Sequence, residues 1–81
     1  MSESPAGNRF VAGYNQFVKL VRHGKAKKVY LASDADTFFA KAVRNELAGK
    51  TAVEFDDGFT AEKLAAMAGV EVPTAVLTVA E

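Results

Sequence analysis

From Gly13 to His23 the apolar residues Tyr14, Phe17, Val18 and Val21 recur at helical spacing, and Asn15, Gln16, Lys19, Arg22 and His23 fill the opposite side. That pattern predicts a helix with one buried stripe, ended by Gly24. The segment KKVYLAS then predicts a strand, because Val29, Tyr30 and Leu31 favour extended backbone and the run is too short for a stable helix. Ser33, Asp34 and Asp36 supply oxygens suited to a turn and to capping the helix that follows. A helix over Thr37–Leu47 would bury Phe39, Val43 and Leu47, with Phe38 and Ala42 at its flanks, and Gly49 would stop it. Thr51–Phe55 predicts a second strand and Asp56-Asp57-Gly58 a turn. Thr60 caps a third helix reaching Ala68, with Glu62 near its positive end and Gly69 just past its last residue. Pro73 precedes a last strand over Thr74–Ala80, and a short extra strand is expected near Phe10-Val11.

Helices alternating with strands predict an α/β fold. The expected form is a three-layer α-β-α sandwich around a small mixed sheet, with most strands parallel. The length of 81 residues fits one domain, with residues 1–8 as a flexible lead-in. A chain this short leaves little room for an enclosed cleft. At 49% hydrophobic and 25% charged residues it groups with globular proteins and not with disordered tails. It has no cysteine and one histidine, His23, so disulfides and thiolate metal sites are excluded and no cofactor is expected. No run approaches the ~20 apolar residues of a membrane span, and MSESPAGNRF lacks the apolar core of a secretory signal. A cytoplasmic monomer without membrane contact is the expectation.

Ten basic and ten acidic residues give a net charge of zero, but the charges are segregated. No acid lies between Glu3 and Asp34, a stretch that carries Arg9, Lys19, Arg22, Lys25, Lys27 and Lys28. Beyond it acids outnumber Lys41, Arg44, Lys50 and Lys63. Such a block suits a polyanion such as RNA, and equally well a solvated face on a neutral protein.

Three groups of residues could carry chemistry. The first helix presents free amides and a positive dipole end, and Gly13 lets another backbone approach closely. Asn15, Gln16 and Lys19 share one face of it. Amide side chains can read base edges through paired donors and acceptors, and lysine can reach a purine edge or a phosphate. With Arg22, Lys25, Lys27 and Lys28 they form a candidate nucleic-acid surface; an ordinary hydrophilic helix face fits the same periodicity. The second group, Asp34 and Asp36 after a hydrophobic strand, resembles the first motif of haloacid-dehalogenase-type phosphatases, in which one aspartate attacks phosphorus and the other acts as acid and base. The downstream lysine and acidic pair of those enzymes do not fall at matching spacing, so a capping turn is expected and no enzyme. His23 is the third, without a serine, cysteine or carboxylate at convincing spacing.

The segment GYNQFVKLVRHGKAKKVYLASDAD resembles the signature of the ribosomal L-seven-Ae and L-thirty-e family, including its short bacterial members. Its parts are a glycine-led helix, a lysine, a basic-glycine break, a strand, and Ala-x-Asp-Ala-Asp. LAAMAGVEVPTAVLTV resembles the closing helix, Val-Glu-Val loop and last strand of the same family, so the likeness extends from about Phe10 to Val79. It implies the α-β-α sandwich and binding of kink-turn or similarly bent RNA, in a ribosomal or ribonucleoprotein setting with proteins of that setting as further partners. By this resemblance Gly13, Tyr14, Asn15, Gln16 and Lys19 form the helix edge that meets tandem sheared G·A pairs. Val70, Glu71, Val72, Pro73 and Thr74 form the loop that covers extruded bulge nucleotides. Unstacked bases and bent shapes are what sequence-specific RNA readers favour. Tyr14 stands where many members carry threonine, Gln16 where archaeal members carry glutamate, and Ala61 and Glu62 where members tend to carry lysines. Glu62, the acidic C-terminal two-thirds and the zero net charge support an alternative, a protein-interaction module that keeps the fold without RNA binding.

Overall fold

The computed structural model describes residues 9–80; the lead-in expected over residues 1–8 lies outside the described residues. The element order is β1 (Arg9–Ala12), α1 (Tyr14–Arg22), β2 (Ala26–Ala32), α2 (Thr37–Leu47), β3 (Glu54–Phe59), α3 (Ala61–Ala68) and β4 (Val76–Ala80). The sheet order is β1-β4-β2-β3. Strand alternation sends successive side chains to opposite faces. Val29 and Leu31 of β2 therefore pack with Phe17, Val21, Val43 and Val76 under α1 and α2. Ala32 of the same strand packs with Leu64 and Leu77 under α3, flanked by Tyr30 and Phe59. These two cores make the three layers of an α-β-α sandwich.

The helices follow their patterns closely. Phe17 and Val21 are buried along α1, with Tyr14 and Val18 partly buried beside them. In α2, Val43 is fully buried while Phe39 and Leu47 pack partly exposed, and the flanking Phe38 is 83% exposed. Asp36 caps α2 by accepting from Phe38 N at 2.9 Å. Thr60 caps α3 by accepting from Lys63 N at 3.2 Å. The short strand near Phe10-Val11 is β1, an edge paired antiparallel to β4.

Two expectations are corrected. Among the described residues, of the strand pairs only β2 with β3 is parallel; β4 runs antiparallel to both β1 and β2. The cause is the connection after α3: the chain doubles back until Thr74 N donates to Ala61 O at the start of the same helix. It thus re-enters the sheet at the end where α3 began, which reverses β4. The second correction concerns Thr51–Phe55 and the turn after it. Residues 51–53 are used in turns, with Val53 N bonded to Lys50 O, and the strand is Glu54–Phe59. Asp56-Asp57-Gly58 lies inside β3, where the register slips between Tyr30↔Asp56 and Ala32↔Phe59. Asp56 Oδ1 accepts from Gly58 N at 2.8 Å, which closes the extra residue into a bulge. The bulge turns Phe59 onto the Tyr30 ring, centroids 5.7 Å apart.

This topology places the N-termini of all three helices at one end of the sheet. Helices α2 and α3 start where β2 and β3 finish, and α1 starts where β1 finishes beside the beginning of β4.

Candidate functional site

A cleft of about 460 Å³ opens at that end of the sheet. One wall is the start of α1, Gly13 and Tyr14; the other is the loop after α3, with Val70, Val72, Pro73 and Thr74; Phe39 of α2 and Val76 of β4 also line it. The structure therefore joins the glycine-led helix and the Val-Glu-Val loop, which lie far apart in sequence.

The α1 wall is set by backbone geometry. Gly13 has φ 110° and ψ 147°, a conformation that side-chain-bearing residues rarely adopt. Its N–H donates to Val76 O at 3.3 Å, and its carbonyl accepts from Phe17 N at 3.1 Å. Among the described residues no side chain caps α1, and no acidic residue stands in its first turn. The positive end of this helix is uncompensated and faces an opening, an arrangement favourable to anions. Tyr14 packs edge-on against Phe39, ring centroids 5.4 Å apart, and against Phe17 at 5.7 Å. It thus lies between the cleft and the core. Asn15, Gln16 and Lys19 are exposed on the same helix.

The loop wall is apolar at its tip and tied at its base. Val72 is 71% exposed and Val70 41%, whereas Thr74 is only 6% exposed. The Thr74 hydroxyl donates to Val72 O at 3.3 Å. Glu71 is exposed and does not line the cleft.

Arg22 and Lys25 lie elsewhere. Arg22 is the last residue of α1, about 12 Å from its start by helical rise, and Lys25 follows the turn after it. Arg22 forms an ion pair with Glu46 of α2 at 2.8 Å, and its Nε also donates to Glu46 at 3.3 Å. The bonded guanidinium holds the Glu46 carboxyl below its usual range. Lys28 reaches Glu54 at 4.0 Å and lies over the Tyr30 ring at 4.8 Å. The basic block of the sequence is thus divided, with Lys19 on the exposed face of α1, Arg22 at its last residue, Lys25 just past it, and Lys27 and Lys28 in β2.

Asp34 and Asp36 both act as hydrogen-bond acceptors for backbone amides. Asp36 caps its own helix, as its position predicts; Asp34 instead accepts from Ala61 N at the start of α3, at 3.0 Å. Among the described residues no group of three or more His, Asp or Glu side chains is placed to hold a metal ion. No described helix is long and apolar enough to cross a membrane.

A family model described as the Ribosomal protein L7Ae/L30e/S12e/Gadd45 family matches residues 2–81. The chain belongs to this family. Its fold is shared by a protein of unknown function from Bacillus halodurans C, 22% identical with a TM-score of 0.79, over 90% of this chain and 72% of that one. It is also similar to a Giardia lamblia 15.5kD RNA binding protein, 26% identical with a TM-score of 0.66. That likeness covers 90% of this chain, which spans 61% of the Giardia protein. Among curated proteins none matches. Both walls of the cleft carry sequence patterns of their own, whereas the helical spacing of Phe39 predicts only a core residue. The contact from Asp34 to Ala61 carried no local signal, since 27 positions separate the two.

Proposed function

We propose that this chain binds structured RNA and recognises a kink-turn or similarly bent element at the cleft end of the sheet. The observation that carries this reading is the convergence of the uncapped start of α1 and the apolar loop Val70–Thr74 on one cleft. Membership of the Ribosomal protein L7Ae/L30e/S12e/Gadd45 family and the likeness to an RNA binding protein support it. In this reading Asn15, Gln16 and Lys19 meet base edges beside the first turn, where amides and lysine can discriminate purines. The positive helix end receives a phosphate. Val72 and Pro73 cover an unstacked base with apolar surface, and Gly13 and Tyr14 shape the wall opposite. Arg22 and Lys25 contribute only to the long-range attraction of the polyanion.

The test is a titration against a short kink-turn RNA and a matched duplex without the bulge, at two salt concentrations. Tight binding to the kink-turn alone, weakening as salt rises, is the expected outcome, because counterion release drives part of the binding. Equal binding to both, erased by salt, would reduce the face to a generic basic patch. Absence of binding to either would favour a second reading, a protein-interaction module. That reading draws on Glu62 in the first turn of α3 and on the exposed Val72.

A further inference from the structure

We infer that Asp34 is a positioning residue for the cleft: its carboxylate fixes the start of α3 and, through Ala61 and Thr74, the loop that forms one wall. The consequence for RNA rests on the reading above; the geometry stands without it.

The chain of contacts begins at an anchored point. At the end of β2, Ala32 N donates to Ala75 O at 2.8 Å and Ser33 N to Phe59 O at 2.8 Å. Asp34 therefore projects from backbone held on both sides by neighbouring segments. Its Oδ1 accepts from Ala61 N at 3.0 Å. The same residue, Ala61, accepts from Thr74 N at 3.1 Å. Thr74 in turn holds Val72 through its hydroxyl, at 3.3 Å. Three successive bonds connect a carboxylate in the turn after β2 to the exposed tip of the cleft wall.

Capping alone does not account for this carboxylate. Thr60, the residue before α3, already provides the local cap by accepting from Lys63 N. Asp34 comes from another element and binds a different amide, so its bond fixes the helix relative to the sheet. A carboxylate suits the place, since a charge-assisted bond to an amide at the positive end of a helix is stronger than a neutral one. The two aspartates of the Asp-Ala-Asp motif thus divide the work: Asp36 starts α2, and Asp34 sets where α3 and its trailing loop stand.

A chain tied in this way gives specific expectations for D34A. The Asp34 bond is solvent-exposed, so D34A leaves no buried orphan and the protein folds. Amide exchange of Thr74 in the free protein should accelerate about tenfold relative to the amides of β4, the size expected for loss of a cap. D34N should restore most of the protection, because its amide oxygen can still accept from Ala61 N. T60A, which removes the local cap of the same helix, should lower the melting temperature as D34A does yet leave Thr74 exchange unchanged. Dissociation of a kink-turn RNA should follow the same order, about tenfold faster for D34A and unaltered for T60A. Unchanged Thr74 exchange in D34A, or equal effects of D34A and T60A on that exchange, would overturn the inference. If the unaltered protein binds no kink-turn RNA, the RNA reading fails while the exchange measurement still decides the role of Asp34.

Discussion

Helices α1 and α3 begin at the same end of the sheet, on opposite faces, and their first turns are built in opposite ways. The start of α3 is closed by the protein's own oxygens: Thr60 takes one amide, Asp34 another, and Glu62 adds a negative charge. The start of α1 has no side-chain cap among the described residues and no acid in its first turn. Its cap position is a glycine whose φ of 110° is far from the extended backbone that Ser, Thr, Asp or Asn adopts as a cap. The conformation that turns the chain into α1 is thus the one that bars the usual caps. Unclosed helix ends cost stability, and a protein that closes two of three leaves the third free to meet an anion. The end left open is the one beside an apolar cleft.

Substitutions on the two helix starts should separate binding from stability. The largest expected effect is on the open end: Lys19→Ala should weaken kink-turn RNA binding by about 1–3 kcal/mol, as loss of a base-edge contact does. Its melting temperature should hardly move, as for most exposed positions. Equilibrium binding beside a thermal melt checks both halves of this expectation. Gly13→Ala comes next. A Cβ there would meet nothing within 4 Å, so its cost is entirely in the backbone, about 1–3 kcal/mol, read as a lower unfolding midpoint. On the closed end, Thr60→Ala should cost about 1 kcal/mol in chemical denaturation and leave RNA affinity alone. The smallest effect belongs to Arg22→Ala, a slight fall in melting temperature that vanishes at high salt. Because Arg22 depresses the Glu46 carboxyl, the pair contributes above the ordinary glutamate range and is lost as pH falls through the lowered value. Melting curves of R22A and the unaltered protein should therefore converge in acid.

Much of the fold is legible along the chain because its helices are locally consistent. Tyr14, Phe17, Val18 and Val21 keep one period, Asp36 and Thr60 cap the helices they precede, and Gly69 adopts φ 75° at the end of α3. The sheet is less legible. Asp56-Asp57-Gly58 has turn composition, yet pairing with β2 absorbs it as a bulge, and nothing local distinguishes the two uses. The reversal of β4 depends on the bond from Thr74 to Ala61, which only the folded chain provides. For the cleft, each wall carries its own pattern, but their meeting does not. Phe39 and Asp34 have purely local readings, a core residue and a turn, until the tertiary structure sets one beside Tyr14 and the other against α3.

The most direct test of the central claim is amide chemical-shift mapping by NMR as a kink-turn RNA is added. Shifts or broadening should concentrate at Gly13–Lys19 and Val70–Thr74, with the Phe55–Asp57 edge and the Arg22–Lys25 turn nearly still. Perturbation confined to Arg22–Lys28, or to the β3 edge, would contradict it and move the binding surface away from the cleft.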